Sequence, residues 1–173
     1  MTIHASNPFA TPDDAKSPLR RLRGRLPSHV TLWTAYDHEG RRAGLTVSST
    51  VVIDGSPGRL LGAINDESTL WDAVRRTGRF AVAPLRERDG RLADTFAGLM
   101  PAAGGPFTVG DWLDTDYGPV LAGLGAWAGC RLDDARPMGW ALLIESTVEH
   151  VEINSDDDPS PLAHYRGQYV STR

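Results

Sequence analysis

GLTVSSTVVI, residues 44–53, has the composition of a single buried β-strand with a polar beginning. The apolar run at its end, VVI, is typical of a strand in a protein core. Hydroxyl groups occupy both faces of the first half, because successive side chains of a strand point in opposite directions. The two faces carry Thr46, Ser48 and Thr50 on one side and Val47 and Ser49 on the other. Such a strand end either contacts water and neighbouring backbone, or holds a polar ligand such as a phosphate or a ring with amide-like edges.

The segments around this strand predict a mainly β, antiparallel domain. Turn residues DHEG at 37–40 connect it to an alternating segment that precedes it, which predicts a β-hairpin. The predicted strands span 29–37, 43–53, 59–65, 79–85, 126–132 and 140–153, and the predicted helices span 68–78 and 90–99. Strands at hairpin spacing with a few short helices favour an antiparallel barrel with peripheral helices over a parallel sheet.

Length and composition indicate one ordinary globular domain. The chain has 173 residues, of which 40% are hydrophobic and 23% charged, and these values fit a single domain with a buried core. Residues 1–17 are rich in Pro, Asp, Ser and Thr without periodicity, so we predict a flexible tail there and a domain over 18–173. The beginning lacks a basic segment followed by an apolar one, and no apolar run approaches a membrane span. We therefore expect a cytoplasmic protein.

The formal net charge of −4 argues against nucleic acid as the main partner. One segment, RRLRGR at 20–25, is locally basic. It fits a solvated turn, a contact with a phosphate backbone, or a contact with an anionic cofactor or dinucleotide.

Nucleophilic and metal-binding residues are sparse. Cys130 is the one cysteine, and its position on a predicted strand favours a small buried thiol over a catalytic one. The five histidines form neither a Ser-His-Asp set nor a metal-ligand spacing, so we expect no metal site.

A second polar cluster lies where the third predicted strand meets the first predicted helix. It comprises Asn65, Asp66, Ser68 and Thr69. The start of a helix offers unpaired N–H groups and a partial positive charge, which favour a phosphate. The alternative is that Ser68 or Thr69 only caps the helix. Two hydroxyl clusters on neighbouring strands would together form one concave polar site.

Several motifs, in this order, resemble the flavin reductase-like, FMN-binding split-barrel family. They are GLTVSS, a serine–threonine pair that opens a helix, GRFAV, FAG and a final YRGQY. The resemblance extends from about residue 19 to residue 169. It implies a six-stranded antiparallel split barrel, usually a homodimer, with FMN or FAD near the subunit interface.

The resemblance also implies site residues and an activity. In this family the Thr-Val-Ser-Ser segment approaches the flavin, and the pair at the helix start meets the phosphate. The implied cofactor-binding residues are Thr46, Val47, Ser48, Ser49, Asn65, Asp66, Ser68 and Thr69. Similar enzymes transfer hydride from NADH or NADPH to the flavin and supply reduced flavin to a monooxygenase, without a protein nucleophile.

The chain departs from the family pattern at three places. Many members read Pro-Thr-Gly-Val in the first strand, where this chain has PSHV at 27–30. Many have Gly-Asp-His before the long strand, with the histidine on the nicotinamide side of the flavin, where this chain has Met138, Gly139 and Trp140. An asparagine after FAV is replaced by Ala83 and Pro84. Ser28, His29 and Trp140 are therefore candidates for the flavin or nicotinamide side.

The departures leave two functions open. The first is an NAD(P)H:flavin oxidoreductase that supplies a monooxygenase. The second is a flavin-binding carrier, sensor or accessory subunit without efficient NAD(P)H oxidation. A barrel for another anionic cofactor, such as deazaflavin or haem, is a third. Trp140 is expected to stack near the flavin, to cover it, or to lie in the core.

Overall fold

The secondary structure is dominated by β-strands. The structure, a computed structural model, describes residues 15, 17–154 and 160–171. The strands in these residues are β1 Ser28–His29, β2 Thr31–Tyr36, β3 Arg42–Val47, β4 Val51–Ile53, β5 Arg59–Ile64, β6 Arg79–Pro84, β7 Trp112–Leu113, β8 Val120–Leu121, β9 Ala126–Met138, β10 Ala141–Ile153, β11 Leu162–Tyr165 and β12 Gln168–Ser171. The α-helices are α1 Pro18–Gly24, α2 Thr69–Thr77 and α3 Gly90–Phe96. The predicted tail lies almost wholly outside the described residues and stays a prediction.

Seven strands form the main sheet, in the order β3-β2-β6-β9-β10-β5-β4. All of its neighbouring pairs are antiparallel, which confirms the predicted antiparallel arrangement. The predicted hairpin is β2 and β3, whose pairing begins at Tyr36 with Arg42 and ends at Thr31 with Val47. A mainly β fold with few helices is therefore confirmed, but the sheet has seven strands and the structure does not confirm a closed six-stranded barrel.

The prediction of one strand over residues 43–53 is wrong. β3 ends at Val47, residues 48–50 form a bend, and β4 pairs with β5 at the opposite edge of the sheet, with Val51 opposite Leu61. The VVI segment is consequently an exposed edge strand and not part of the core, since Val52 is 67% exposed. The residues of β4 form a strand because they pair with β5, although their side chains are exposed.

The sheet curls so that its edges approach one another. Gly62 of β5 faces the ring of Trp33 in β2, although three strands separate β2 from β5 in the sheet. A Cβ atom on Gly62 would lie 2.5 Å from that ring, so only glycine fits at this contact. The bend after β3 also contacts β5, through Ser49 and Ala63. Because of this curl, β2 and β3 at one end of the sheet order lie close to β5 near the other end, and the strands surround one interior.

Two apolar clusters lie on opposite sides of the central strands. The first, which includes Trp33, Phe80 and Ile144, is covered at one end by the apolar face of α2. The second, which includes Leu32 and Phe96, lies between β2, β6 and α3. Because β2 contributes to both, its residues are buried on both faces.

Among the described residues, no helix combines the length and apolar character needed to cross a bilayer. In the same part of the chain, no group of three or more His, Cys, Asp or Glu side chains is placed to hold a metal ion.

Cys130 is expected to be unreactive in the folded protein. Its side chain is fully buried, and burial raises the pKa of the thiol to about 12. Since the thiolate is the reactive form, a thiol reagent such as Ellman's reagent should modify Cys130 only after the chain is unfolded in denaturant. Stoichiometric reaction within seconds under native conditions would contradict this burial and reopen a catalytic role for the thiol.

Candidate functional site

Thr46 and Val47, the last two residues of β3, both stabilise the fold. The Oγ1 of Thr46 donates to the carbonyl of Ala93 in α3 at 2.7 Å. Val47 is buried in the first apolar cluster, and its carbonyl accepts a hydrogen bond of 2.7 Å from the Oγ1 of Thr31. Neither side chain is therefore free to bind a ligand, although the backbone of both lies directly before the bend.

Thr50, the last residue of the bend, bonds to two side chains of β2. Its Oγ1 lies 2.8 Å from the Oγ1 of Thr31 and accepts from the indole N–H of Trp33 at 3.2 Å. The same indole N–H also reaches the Oγ1 of Thr31, at 3.1 Å. These bonds fasten the bend to β2. The contribution of Thr31 is not predictable from the sequence, because a threonine inside an apolar strand gives no signal for a contact 19 residues away.

Ser49 and Ser48 differ in what their hydroxyl groups do. The Oγ of Ser49 donates to the carbonyl of Ala63 at 2.7 Å and accepts from its N–H at 3.0 Å, so Ser49 takes the place of one strand-to-strand hydrogen-bond pair. Ser48 is half-buried, and within the described residues its hydroxyl has no hydrogen-bond partner. Of the two serines, Ser48 is the one whose side chain is available to a ligand.

One residue of the polar cluster before α2, Ser68, caps the start of this helix. The Oγ of Ser68 accepts from the N–H of Trp71 at 3.2 Å and donates to the carbonyl of Asn65 at 2.7 Å, so Ser68 is the N-cap of α2. The Oδ1 of Asn65 accepts from the N–H of Glu67 at 3.0 Å. The capping interpretation of Ser68 is confirmed.

Other donors at the start of α2 are not used within the described residues. Asp66 and Thr69 have exposed side chains without a hydrogen-bond partner there. The N–H groups of Thr69 and Leu70 precede the first intrahelical hydrogen bond and have no acceptor in the same part of the chain. The start of α2 therefore offers two N–H groups and a hydroxyl in one place.

The curl of the sheet brings the two hydroxyl clusters close together, although β3 and β5 are not the neighbouring strands that the sequence analysis expected. The bond between Ser49 and Ala63 places the bend beside the end of β5, and Asn65 follows two residues after Ala63. The bend and the start of α2 thus share one end of the curled sheet.

Trp140 lies at the tip of the hairpin formed by β9 and β10. Trp140 is 100% exposed, which excludes the core position among the three alternatives for this residue. Leu142 pairs with Ile64, and the hairpin extends two residues beyond that pair in the direction of Asn65. The register therefore places Trp140 at the end of the sheet where α2 begins.

Ser28 and His29 lie on the short strand β1, which pairs with His164 and Ala163 of β11. β1 is followed directly by β2, whose first residue, Thr31, pairs with Val47. The end of β1 therefore lies close to the bend after β3. Ser28 is half-buried and His29 is exposed. On the neighbouring strand β11, the pKa of His164 is lowered mainly by burial and also by the positive charge of Arg23. The imidazole of His164 is therefore neutral near pH 7.

The chain is similar in sequence and in fold to known proteins. Residues 23–173 match the family model described as flavin reductase like domain. A flavin reductase from Pseudomonas putida is 26% identical over 87% of this chain and 86% of its own length. The FMN reductase (NADH) RutF 2 of Methylorubrum extorquens is 36% identical over 77% of each chain. The crystal structure of nitrilotriacetate monooxygenase component B from Mycobacterium thermoresistibile superposes with a TM-score of 0.81 at 26% identity, covering 90% of this chain and 85% of that one.

Proposed function

The chain belongs to the flavin reductase-like domain family, and on this basis we propose that it transfers hydride from NAD(P)H to a flavin. It is an NAD(P)H:flavin oxidoreductase that uses FMN or FAD and supplies reduced flavin to a monooxygenase. The single observation that carries the proposal is that the bend after β3 lies beside the start of α2. This junction of the bend and the helix start lies within the residues that match the family model. A relative named FMN reductase (NADH) supports the hydride donor, and one named as a monooxygenase component supports the partner.

The residues at this junction fit a flavin nucleotide. A flavin phosphate needs several N–H or O–H donors, and the start of α2 has the N–H groups of Thr69 and Leu70 and the hydroxyl of Thr69 without acceptors of their own among the described residues. The ring of a flavin has carbonyl and nitrogen edges, and the unpartnered hydroxyl of Ser48 is a donor for them. Helix-terminus attraction contributes about 0.3–1 kcal/mol, so the hydroxyl groups share in holding the phosphate.

The roles of the predicted site residues differ in this proposal. Ser48 and Thr69 bind the flavin with their side chains, and the backbone at Thr46 and Val47 borders it. Ser49 and Ser68 shape the site through their bonds to Ala63 and Trp71. Asn65 and Asp66 line the same end of the sheet.

A bound flavin supplies the hydride chemistry, namely acceptance of a hydride from reduced nicotinamide. The protein has to bind the two molecules, orient them and exclude water. The rigid attachment of the bend to β2 and β5, through Thr50 and Ser49, suits this positioning task. No proton-transferring side chain is required at the hairpin tip.

The exposed Trp140 at the tip of the β9–β10 hairpin favours the second function, a flavin-binding protein without efficient NAD(P)H oxidation. Trp140 has no titratable group, and its ring is available to stack on or cover a flavin. Ser28 and His29 on β1 are proposed for the nicotinamide side. If Trp140 covers the ring face that NAD(P)H needs, the chain binds flavin but oxidises NAD(P)H inefficiently.

We further propose the finer architecture that the family implies. The six strands β2, β3, β5, β6, β9 and β10 form the split barrel, and β4 is an additional edge strand. A homodimer would cover the exposed side chains of β4, including Val52. A cytoplasmic location stays a prediction from the sequence.

Steady-state oxidation of NADH under air tests the proposed function. Catalytic amounts of the protein should accelerate NADH consumption only when FMN or FAD is added, and the rate should saturate with flavin. Tight flavin binding without faster NADH or NADPH consumption would favour the carrier function instead.

Replacing Ser48 with alanine is expected to weaken flavin binding without loss of stability. The hydroxyl makes no hydrogen bond in the described structure, so its removal costs only the bond to the ligand, about 0.5–1.5 kcal/mol or up to about tenfold in Kd. Flavin titrations of Ser48→Ala and of Ser49→Ala as a comparison check this. Ser49→Ala should lower Tm, because it leaves both backbone groups of Ala63 unpaired. Unchanged flavin affinity in Ser48→Ala would remove this side chain from the site.

A further inference from the structure

Thr31, the first residue of β2, lies at the corner where β3 leaves the sheet. It is buried and pairs with Val47, the last residue of β3. The backbone before Thr31 is used elsewhere, because the N–H of Val30 donates to the carbonyl of Leu162 at the start of β11. The pairing of β2 with β3 therefore ends at Thr31, and the bend at residues 48–50 begins there.

The hydroxyl of Thr31 uses all of its hydrogen-bonding capacity. Its single proton goes to the carbonyl of Val47 at 2.7 Å, so the hydroxyl of Thr50, 2.8 Å away, is the donor in the bond between the two threonines. The remaining lone pair accepts from the indole N–H of Trp33 at 3.1 Å. Since a hydroxyl has one proton and two lone pairs, none of them is left for a ligand.

These bonds attach both ends of the bend to one side chain. Val47 directly precedes the bend and Thr50 is its last residue, so only Ser48 and Ser49 lie between the two attachment points. The N–H groups of these two serines have no acceptor among the described residues, and the hydroxyl of Ser48 has no partner there. The free donors of the bend thus belong to the two residues that Thr31 encloses.

A short segment binds a ligand more tightly when its conformation is fixed before the ligand arrives. Two residues of a bend have several backbone conformations open to them, and selecting one of these on binding costs conformational free energy. The bonds of Thr31 select the conformation during folding instead. Thr31 therefore affects the binding of a ligand to the bend without a bond to that ligand.

We propose that Thr31 is a positioning residue of the proposed flavin site, which acts through the bend and not by contact with the cofactor. The inference rests on the proposed function, because it takes the free donors of the bend to bind the flavin. Without the hydroxyl of Thr31 the bend keeps its bonds to Ala63 and the bond of 3.2 Å between Thr50 and Trp33. Val47 and Thr50, however, are no longer joined through one side chain.

Calorimetric titrations of full-length variants with FMN and with FAD test this inference. Thr31→Val keeps nearly the same shape without the hydroxyl, and it should raise the flavin Kd about tenfold, because the free donors are no longer held in place. Thr31→Ser keeps the hydroxyl and should bind flavin within about threefold of the wild-type Kd. Thr50→Val removes the other hydroxyl of the threonine pair, and it replaces Thr31→Val, with the same expected result, if that variant does not fold.

Thr34→Val is the matched control for stability. Thr34 is buried on the same strand, and its hydroxyl donates to the carbonyl of Pro119 at 2.7 Å, the same length as the bond from Thr31 to Val47. This bond does not involve the bend. Thr34→Val should therefore lower Tm, as Thr31→Val does, while its flavin Kd stays within about twofold of the wild-type value.

Three results would overturn the inference. The first is an unchanged flavin Kd in Thr31→Val. The second is an equal loss of affinity in Thr31→Val and Thr34→Val, which would show that lowered stability is the cause. The third is a loss in Thr31→Ser as large as that in Thr31→Val, because the hydroxyl would then not be responsible. Failure of the wild-type protein to bind either flavin would instead overturn the proposed function.

Discussion

Replacing Arg86 with alanine is expected to lower the free energy of unfolding by about 3–5 kcal/mol, because it leaves a buried carboxylate unpaired. The side chains of Arg86 and Asp89 are 8% and 10% exposed and are joined at 2.8 Å. The carboxylate of Asp89 also accepts from the backbone N–H of Arg86, and a guanidinium nitrogen of Arg86 donates to the carbonyl of Gly123. The pair therefore connects the end of β6 to the segment before β9.

Thermal unfolding measures this effect directly. For a chain of this size the loss corresponds to a decrease in Tm of about 6–20 °C. Asp89→Asn keeps the shape and removes the charge, so it provides a second variant if Arg86→Ala does not fold. Arg75→Ala is the control, because Arg75 and Asp72 have the same three-residue spacing but side chains that are 46% and 56% exposed. It should cost less than about 1 kcal/mol, and equal losses in both variants would show that burial is not the cause.

Replacing Trp33 with alanine is expected to cost about 3–5 kcal/mol of stability and to loosen the proposed flavin site. Its ring is fully buried, stacks on Phe80 at 4.9 Å between ring centres, and lies against Gly62 across the curled sheet. Its indole N–H also bonds to Thr50. The substitution thus removes both core packing and one attachment of the bend.

Chemical denaturation and flavin titration of the same variant check the two effects. Trp140→Ala is the control for stability, because a fully exposed tryptophan should contribute almost nothing to the free energy of unfolding. A loss below about 1 kcal/mol in Trp33→Ala would contradict the packing of the sheet interior described above.

Local signals were sufficient for much of the fold. The hairpin of β2 and β3 follows from alternation and turn residues, and both ends of α2 follow from Ser68 as N-cap and Gly78 in the left-handed conformation. These features depend on neighbours along the chain. The meeting of the two hydroxyl clusters depends instead on the curl of the sheet, because β3 and β5 are not neighbours in the sheet order.

Long-range contacts account for what the sequence did not predict. The break after Val47 exists because the following segment pairs with β5 and not with β2, and no local pattern distinguishes an edge strand of valines from a core strand. The structural roles of Ser49 and Thr46 depend on Ala63 and Ala93, which are distant in sequence. Trp140 gave no sign of exposure, because tryptophan suits a core as well as a ligand surface.

The central claim is tested most directly by the anaerobic visible absorption of the purified protein with equimolar flavin, recorded before and after NADH and then NADPH are added. The account predicts that the oxidised flavin band bleaches faster than that of free flavin with the same nucleotide, and the faster nucleotide identifies the hydride donor. A flavin spectrum that shifts on binding but bleaches no faster than free flavin would contradict the account, and Trp140 would then be the first residue to replace.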